Sequence, residues 1–351
     1  IHHSIENNQN DNNDSNLIDL SNTSWNYYNG APFEVGETIQ RAVIKSEVGI
    51  DHLIGNCNSA PGWMKVNESH KRSSENEDIL LNTLKMGMEH EFSEFIEIFL
   101  GGLKQYFGID VSEVSLTNEP DFMNTYESMN LTPSELVNII PVLRSRLDNS
   151  SFSSVGIISP EAARVSPGSS DQLTAVNSAV SYIQHMFQDS ATKNAVDVVA
   201  THTYYDSDHD ANWSSLKSVS DGKPVWVTES ANLKSLDFSM DDASDYIKWI
   251  TRGFNEGGMT AYMVHLLFDK HTYATPEEGD KEGSSGLVVW DDSENIIIPK
   301  RYHAFKHFSN LSVKGYIRVF HKHFESDLFI STFLHPDENE LVIHVFNSGT
   351  D

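Results

Sequence analysis

Apolar residues fall in short runs separated by segments of helical period. Runs rich in Val, Ile and other strand formers occupy residues 52–57, 114–117, 155–159, 196–201, 224–228 and 261–267. Between them, residues 89–107 place Phe92, Phe95, Ile96, Phe99, Leu100, Leu103 and Phe107 on one face of a helix. Residues 132–147 open on Thr132-Pro133-Ser134-Glu135, a capping box with proline in the first turn, where its missing N–H costs nothing. Pro141 is expected to kink that helix or end it. Residues 174–187 and 240–256 read as two more helices. Strand then helix, repeated, predicts an α/β fold with a parallel sheet covered by helices, either a (β/α)8 TIM-type barrel or a doubly wound sheet. No Gly-x-Gly-x-x-Gly follows a strand, which removes the usual dinucleotide reading.

The period changes at both ends. Residues 1–36 are polar and Asn-rich and read as a poorly ordered or remnant segment. After residue 315 the alternation becomes two-fold in "YIRVFH", "LFISTFLH" and "ELVIHVFN", as in antiparallel strands of a partial side β-domain. The expected division is therefore 1–36, a barrel over 37–314, and side strands over 315–351.

Composition narrows the function. A formal net charge of −27 over 351 residues leaves little to neutralise phosphates, so a nucleic-acid partner is not expected. No apolar run is long enough to span a membrane. The single cysteine, Cys57, has no internal disulfide partner. Asn-x-Ser/Thr sequons at Asn22, Asn67, Asn130, Asn149, Asn212 and Asn310 are weak pointers to a secreted protein.

The chemistry lies at two strand ends. "VSLTNEP" closes an apolar run on Asn118 and Glu119, and "PVWVTES" closes another on Glu229. In a parallel barrel the C-terminal strand ends handle substrate. Glycoside cleavage needs two carboxyl groups there, one protonated to donate to the leaving oxygen and one ionised to attack or to activate water. A lone Glu after a strand is more often a cap or a loop residue, and Pro120 could mark a plain turn. His303 and His307, one helical turn apart, read as an exposed helix face rather than a chelate. The acidic stretches "DSENI" and "EEGDKE" lack calcium-loop spacing.

Taken together, "SLTNEPDF", "PVWVTES", "NSAPGWMKVN" at 58–67, "THTYYD" at 201–206 and "PKRYHAFKHFSNLSVKGYIRV" at 299–319 resemble the motifs of glycoside hydrolase family 30, in the order that family carries them. The resemblance spans about residues 40 to 347. It implies a barrel glycosidase needing no cofactor. Glu119 would be the acid/base and Glu229 the nucleophile of a retaining reaction. Asn118 would bind the sugar 2-hydroxyl, and Tyr204 would donate to Glu229. His202 would line the pocket floor, with Glu119 the drier of the two carboxyls. Trp63 is expected to stack on sugar, Trp226 to be core, and Trp290 to be either.

Two departures stand out. Where the family carries an aromatic near the end of the eighth strand, this chain reads "AYMVHLLFD", with His265 or Leu266 at that place. The first two strands and the family's second-strand arginine have no counterpart, which reads as a fragment. "NEPDF" and "GWMK" lean toward a xylan-type endo-hydrolase, and "NCNSAP" toward cleavage of β-1,6-galactan or glucan, with glycosylceramide third. A carbohydrate-binding barrel that has lost turnover is the competing class. The partner expected is a polysaccharide, met outside the cell by a monomer.

Overall fold

The computed structural model describes residues 1, 31–45, 49–50, 52–72, 78–122, 126–167, 178–204, 211–232, 237–270, 285–293, 295–312, 314–322, 327–337 and 339–349. The polar stretch 2–30 with Asn22, the start of the helix expected over 174–187, and "EEGDKE" lie outside these residues. Two compact units divide the chain: Ile1–Ala163 with Pro167–Thr201, and Arg164–Ser166 with His202–Asp351.

The first unit opens on α1 (Ala31–Lys45). Gly36 on α1 lies so near the Phe107 ring that a Cβ there would stand 2.2 Å from it, and Gln40 donates to the Phe107 carbonyl at 2.8 Å. Among the described residues before β1 (Ile54–Asn56) there is no strand. The arginine present there, Arg41, pairs with Glu37 one turn away on the exposed face of α1. Ile1 donates to the carbonyl of Asn56.

Next come α2 (Glu89–Gly102), β2 (Glu113–Ser115), α3 (Pro133–Asp148), β3 (Gly156–Ala162), α4 (Ala179–Met186), α5 (Ser190–Ala195) and β4 (Val198–His202). Strands β1 to β4 lie side by side in chain order, and the pairs within the unit are parallel. The expected apolar stripe of α2 is buried at Phe92, Phe95, Ile96, Phe99 and Leu100. The helix then widens into a π-turn over Leu103–Phe107, which Gly108 ends in the left-handed conformation at φ 67°.

Helix α3 carries the capping box as expected, Thr132 accepting from the Glu135 N–H and Glu135 accepting from the Thr132 N–H. The helix does not end at Pro141, and α3 runs through it to Asp148. A proline there cannot donate to the carbonyl of Val137. The Thr192 hydroxyl of α5 donates toward that carbonyl at 3.3 Å while also lying 2.8 Å from Asp189. Packing of Leu136, Ile139, Ile140, Leu143 and Leu147 against the core outweighs one lost backbone bond.

The second unit holds α6 (Trp213–Val219), β5 (Val225–Glu229), α7 (Met240–Gly257) and β6 (Met259–Tyr262), with β5 and β6 parallel. A small sheet follows, β7 (Phe268–Lys270), β8 (Val288–Trp290) and β9 (Ile296–Ile297), then α8 (Lys300–Ser309). The two-fold alternation after residue 315 forms β10 (Ile317–Arg318), β11 (Leu328–Leu334) and β12 (Leu341–Asn347), an antiparallel sheet. It docks on α7, where Phe254 meets the Phe333 ring edge-on at 5.0 Å and Asn255 donates to the Ile330 carbonyl at 2.6 Å. His303 and His307 are exposed on α8, as expected. His307 lies edge-on to the buried His344, 4.9 Å between ring centres.

Candidate active site

In the first unit the site is built on the turn after β2. Glu119 does not close the strand as the sequence pattern predicts; it sits four residues beyond Ser115, with a left-handed φ of 48°. A glutamate before proline resists that conformation, so the surroundings must hold it. The Glu119 N–H donates to the Glu161 carbonyl at 2.9 Å, and the Phe122 N–H donates back to the Glu119 carbonyl at 3.0 Å. The Thr117 hydroxyl donates to the Pro160 carbonyl at 2.8 Å, and the Ala163 N–H to Asp121 Oδ1 at 2.8 Å. Asn130 donates from its amide to the carbonyls of both Pro120, at 3.1 Å, and Phe122, at 2.9 Å.

Behind Asn130 runs a buried relay. Asn82 donates to Asn130 Oδ1 at 2.8 Å and to the Ser128 hydroxyl at 3.1 Å. Its own Oδ1 accepts from the Lys65 ammonium at 2.7 Å, and Lys65 also donates to the Ser59 hydroxyl and the Ser128 carbonyl. Lys65 is fully buried, so these acceptors replace its hydration.

Glu119 is 5% exposed and its Oε2 accepts from the Tyr126 hydroxyl at 3.1 Å. Asn118 is buried, and its Oδ1 accepts from the Asn56 amide at the end of β1 at 2.9 Å. That bond fixes the Asn118 side-chain amide with its N–H2 as the remaining donor. Trp63 stands on a short 3-10 turn, Gly62–Met64, half-buried against the core of this unit. Cys57 is buried beyond the end of β1, and burial pushes its thiol up to about 12, which favours the neutral thiol.

In the second unit Glu229 is the last residue of β5, as the pattern predicts. Its Oε2 accepts from the Tyr204 hydroxyl at 3.0 Å and lies 3.6 Å from His202 Nδ1, a ring that is itself fully buried. The Glu229 side chain is 23% exposed, so of the two carboxyls Glu119 is the drier. Tyr204 is flanked edge-on by His202, ring centres 5.9 Å apart, and by His265, at 6.3 Å. His265 is exposed, and its N–H donates to the Ser230 carbonyl at 2.9 Å. Next to Glu229, the Ser230 hydroxyl bonds Tyr262 at 2.5 Å, and burial pushes the Tyr262 phenol well above its usual range.

The structure thus gathers Glu229, Tyr204, His202 and His265 in one unit, and Glu119 with Asn118 in the other. Trp226 is half-buried within β5, and Trp290 half-buried at the end of β8. The sequence reading missed Asn56, Glu161 and Tyr126. Glu161 is fully buried, has a left-handed φ of 60°, and stands near the end of β3, where the run "IISPEA" carried the same strand-then-carboxylate signal as the other two.

A family model for the glycosyl hydrolase catalytic core matches residues 104–270, which include both glutamates. Solved structures match most of the chain. SrfJ from Salmonella typhimurium superposes with a TM-score of 0.76 at 17% identity, over 94% of this chain and 68% of that one. The family 30 subfamily 8 xylanase Xyn30A from Clostridium acetobutylicum gives a TM-score of 0.68 at 20% identity, over 93% and 71%. The endo-β1,6-glucanase BT3312 gives 0.68 at 15% identity, over 89% and 71%.

The fold is that of the family 30 glycoside hydrolases. It is α/β, of the TIM-barrel class, with added β-sheets. No curated protein matches the chain.

Proposed function

We propose that this protein is a retaining glycoside hydrolase cleaving a β-linked polysaccharide outside the cell, as a monomer, without a cofactor. One observation carries the reading: Glu229, at a parallel strand end, takes a hydrogen bond from Tyr204 that fixes its carboxyl, while Glu119 occupies a strained, buried turn.

In the first step the Glu229 carboxylate attacks the anomeric carbon while Glu119 gives its proton to the leaving oxygen; the glycosidic bond breaks and a glycosyl ester forms. In the second, the ionised Glu119 takes a proton from water, water attacks the anomeric carbon, and Glu229 leaves as carboxylate. Asn118, oriented by Asn56, donates to the sugar 2-hydroxyl, a bond that strengthens as positive charge builds on the ring. Both roles demand carboxyl groups about 5–5.5 Å apart.

Xylan is placed ahead of β-1,6-galactan and β-1,6-glucan on "NEPDF" and "GWMK". The fold comparison does not separate them, since the xylanase and the β1,6-glucanase match at the same TM-score of 0.68. The second reading, a barrel that binds sugar without cutting it, draws on His265, which flanks Tyr204 where the family carries an aromatic.

The test is reducing-end release from xylan, β-1,6-galactan and β-1,6-glucan, with Glu229→Gln as control. Release that Glu229→Gln abolishes, with the anomeric configuration kept, supports the hydrolase. Binding of any polymer without cleavage moves the assignment to the binding protein.

A further inference from the structure

Tyr126 lies outside every motif that points to the reaction, yet its hydroxyl donates to Glu119 Oε2 at 3.1 Å. We infer that Tyr126 is a positioning residue for the general acid: by occupying Oε2 it directs the transferable proton of Glu119 to Oε1 and fixes the carboxyl plane toward the leaving oxygen. The inference rests on the acid/base role proposed for Glu119.

Two features make the contact more than a chance surface pairing. Tyr126 is about half exposed, at 51%, so burial alone does not place the ring. Both flanks of the segment are pinned by one buried network. Asn130 grips the Pro120 and Phe122 carbonyls beside Glu119. Lys65 grips the Ser128 carbonyl, and Asn82 the Ser128 hydroxyl, two residues past Tyr126. Asn82 joins these two grips, since it bonds Lys65 and Asn130 at once. The hydroxyl and the carboxyl are therefore set at their separation by the same buried side chains, the arrangement expected of a preorganised pair.

The chemistry follows from the donor inventory. A carboxylic acid has one proton and two oxygens. A phenol donating to one oxygen makes that oxygen the acceptor, and the proton then resides on the other. Without the phenol the proton samples both oxygens and the carboxyl rotates, so fewer encounters present an O–H to the leaving group. The step still balances as before, because Tyr126 neither gains nor loses a proton.

General acid help matters only when the leaving group is poor, and this separates positioning from mere support. The experiment measures kcat/KM, which reports the bond-breaking step, for Tyr126→Phe and wild type. One substrate is the polymer that the wild type cuts, xylan, β-1,6-galactan or β-1,6-glucan; the other is the 2,4-dinitrophenyl glycoside of the same sugar, whose leaving group needs no proton. The expected result is a loss of roughly tenfold or more on the polymer and none on the dinitrophenyl glycoside. Glu119→Gln should give the same selectivity, and adding Tyr126→Phe to it should cost nothing further, since Tyr126 acts through that carboxyl. Equal losses on both substrates, no loss on either, or additive losses in the double variant overturn the inference while the hydrolase stands. A wild type inert toward every polymer and aryl glycoside removes the hydrolase reading, and the inference with it.

Discussion

The hydroxyl of Tyr204 donates to Glu229 Oε2 at 3.0 Å, and the tyrosine ring stands edge-on between two histidines, His202 and His265. A carboxylate that attacks carbon must be held with one oxygen aimed at it, and a phenol donor on Oε2 leaves Oε1 for the attack. Tyr204→Phe removes the donor and keeps the ring packing. The expected outcome is a fall in kcat/KM of roughly 10- to 100-fold, the value of a hydrogen bond to a charged group, with the melting temperature unchanged. A KM increase with kcat preserved would contradict it.

The buried ammonium of Lys65 has hydrogen bonds to Ser59, Asn82 and Ser128. Lys65→Met leaves those acceptors without their donor and loosens the relay that ends on the carbonyls beside Glu119. A stability loss of about 3 kcal/mol is expected in urea unfolding. Activity per folded molecule should also fall, because the acid/base turn loses its support.

Within the second unit Arg301 and Asp242 are both buried, Arg301 Nε lying 3.5 Å from Asp242 Oδ2. Burial pushes the Asp242 carboxyl upward, against the pull of Arg301 and the Asn232 amide. Arg301→Met strands that carboxyl and should cost about 3–5 kcal/mol. Adding Asp242→Asn should restore part of the loss. A double variant as unstable as the sum of the single ones would show that the pair does not interact.

His344 is pushed down to about 4, by burial first and by the neighbouring His307 second. It stacks on Phe308, ring centres 4.7 Å apart. Between the ordinary histidine value near 6.5 and about 4, the unfolded chain binds a proton there that the folded chain refuses. Stability from this residue is thus complete above the upper value and drains away as pH falls through the window. In His344→Gln the dependence of melting temperature on pH should flatten by one proton's worth over that range. An unaltered slope would place the titrating group elsewhere.

Much of the fold could be read from residue order. The runs at 52–57, 114–117, 155–159, 196–201 and 224–228 each overlap a parallel strand, most plainly in β3 and β4, where buried Ile and Val leave a dense signal. The run at 261–267 overlaps only the end of β6, Met259–Tyr262, but pairing goes on past it through the Met263 and His265 N–H groups. Glu229 was legible because the strand runs straight into it. Glu119 was legible as a residue and not as a geometry, since its left-handed turn is held by Glu161, Ala163 and Asn130, none of them near enough in sequence to mark a periodicity. Tyr126 and Asn56 left no trace either, for a hydrogen bond between side chains on different segments has no local pattern. Pro141 as a helix end failed for the opposite reason: its local signal is strong, and tertiary packing carries the helix through it.

Asn130 begins a sequon, Asn-Leu-Thr, yet its amide is buried and already committed to two backbone carbonyls. A sugar tree on that nitrogen and the native turn around Glu119 are mutually exclusive. In a eukaryotic secretory host, where oligosaccharide is transferred to chains still emerging, an early attachment at Asn130 would divert the molecule to degradation. A bacterial host, which lacks that transfer, is the better source of material.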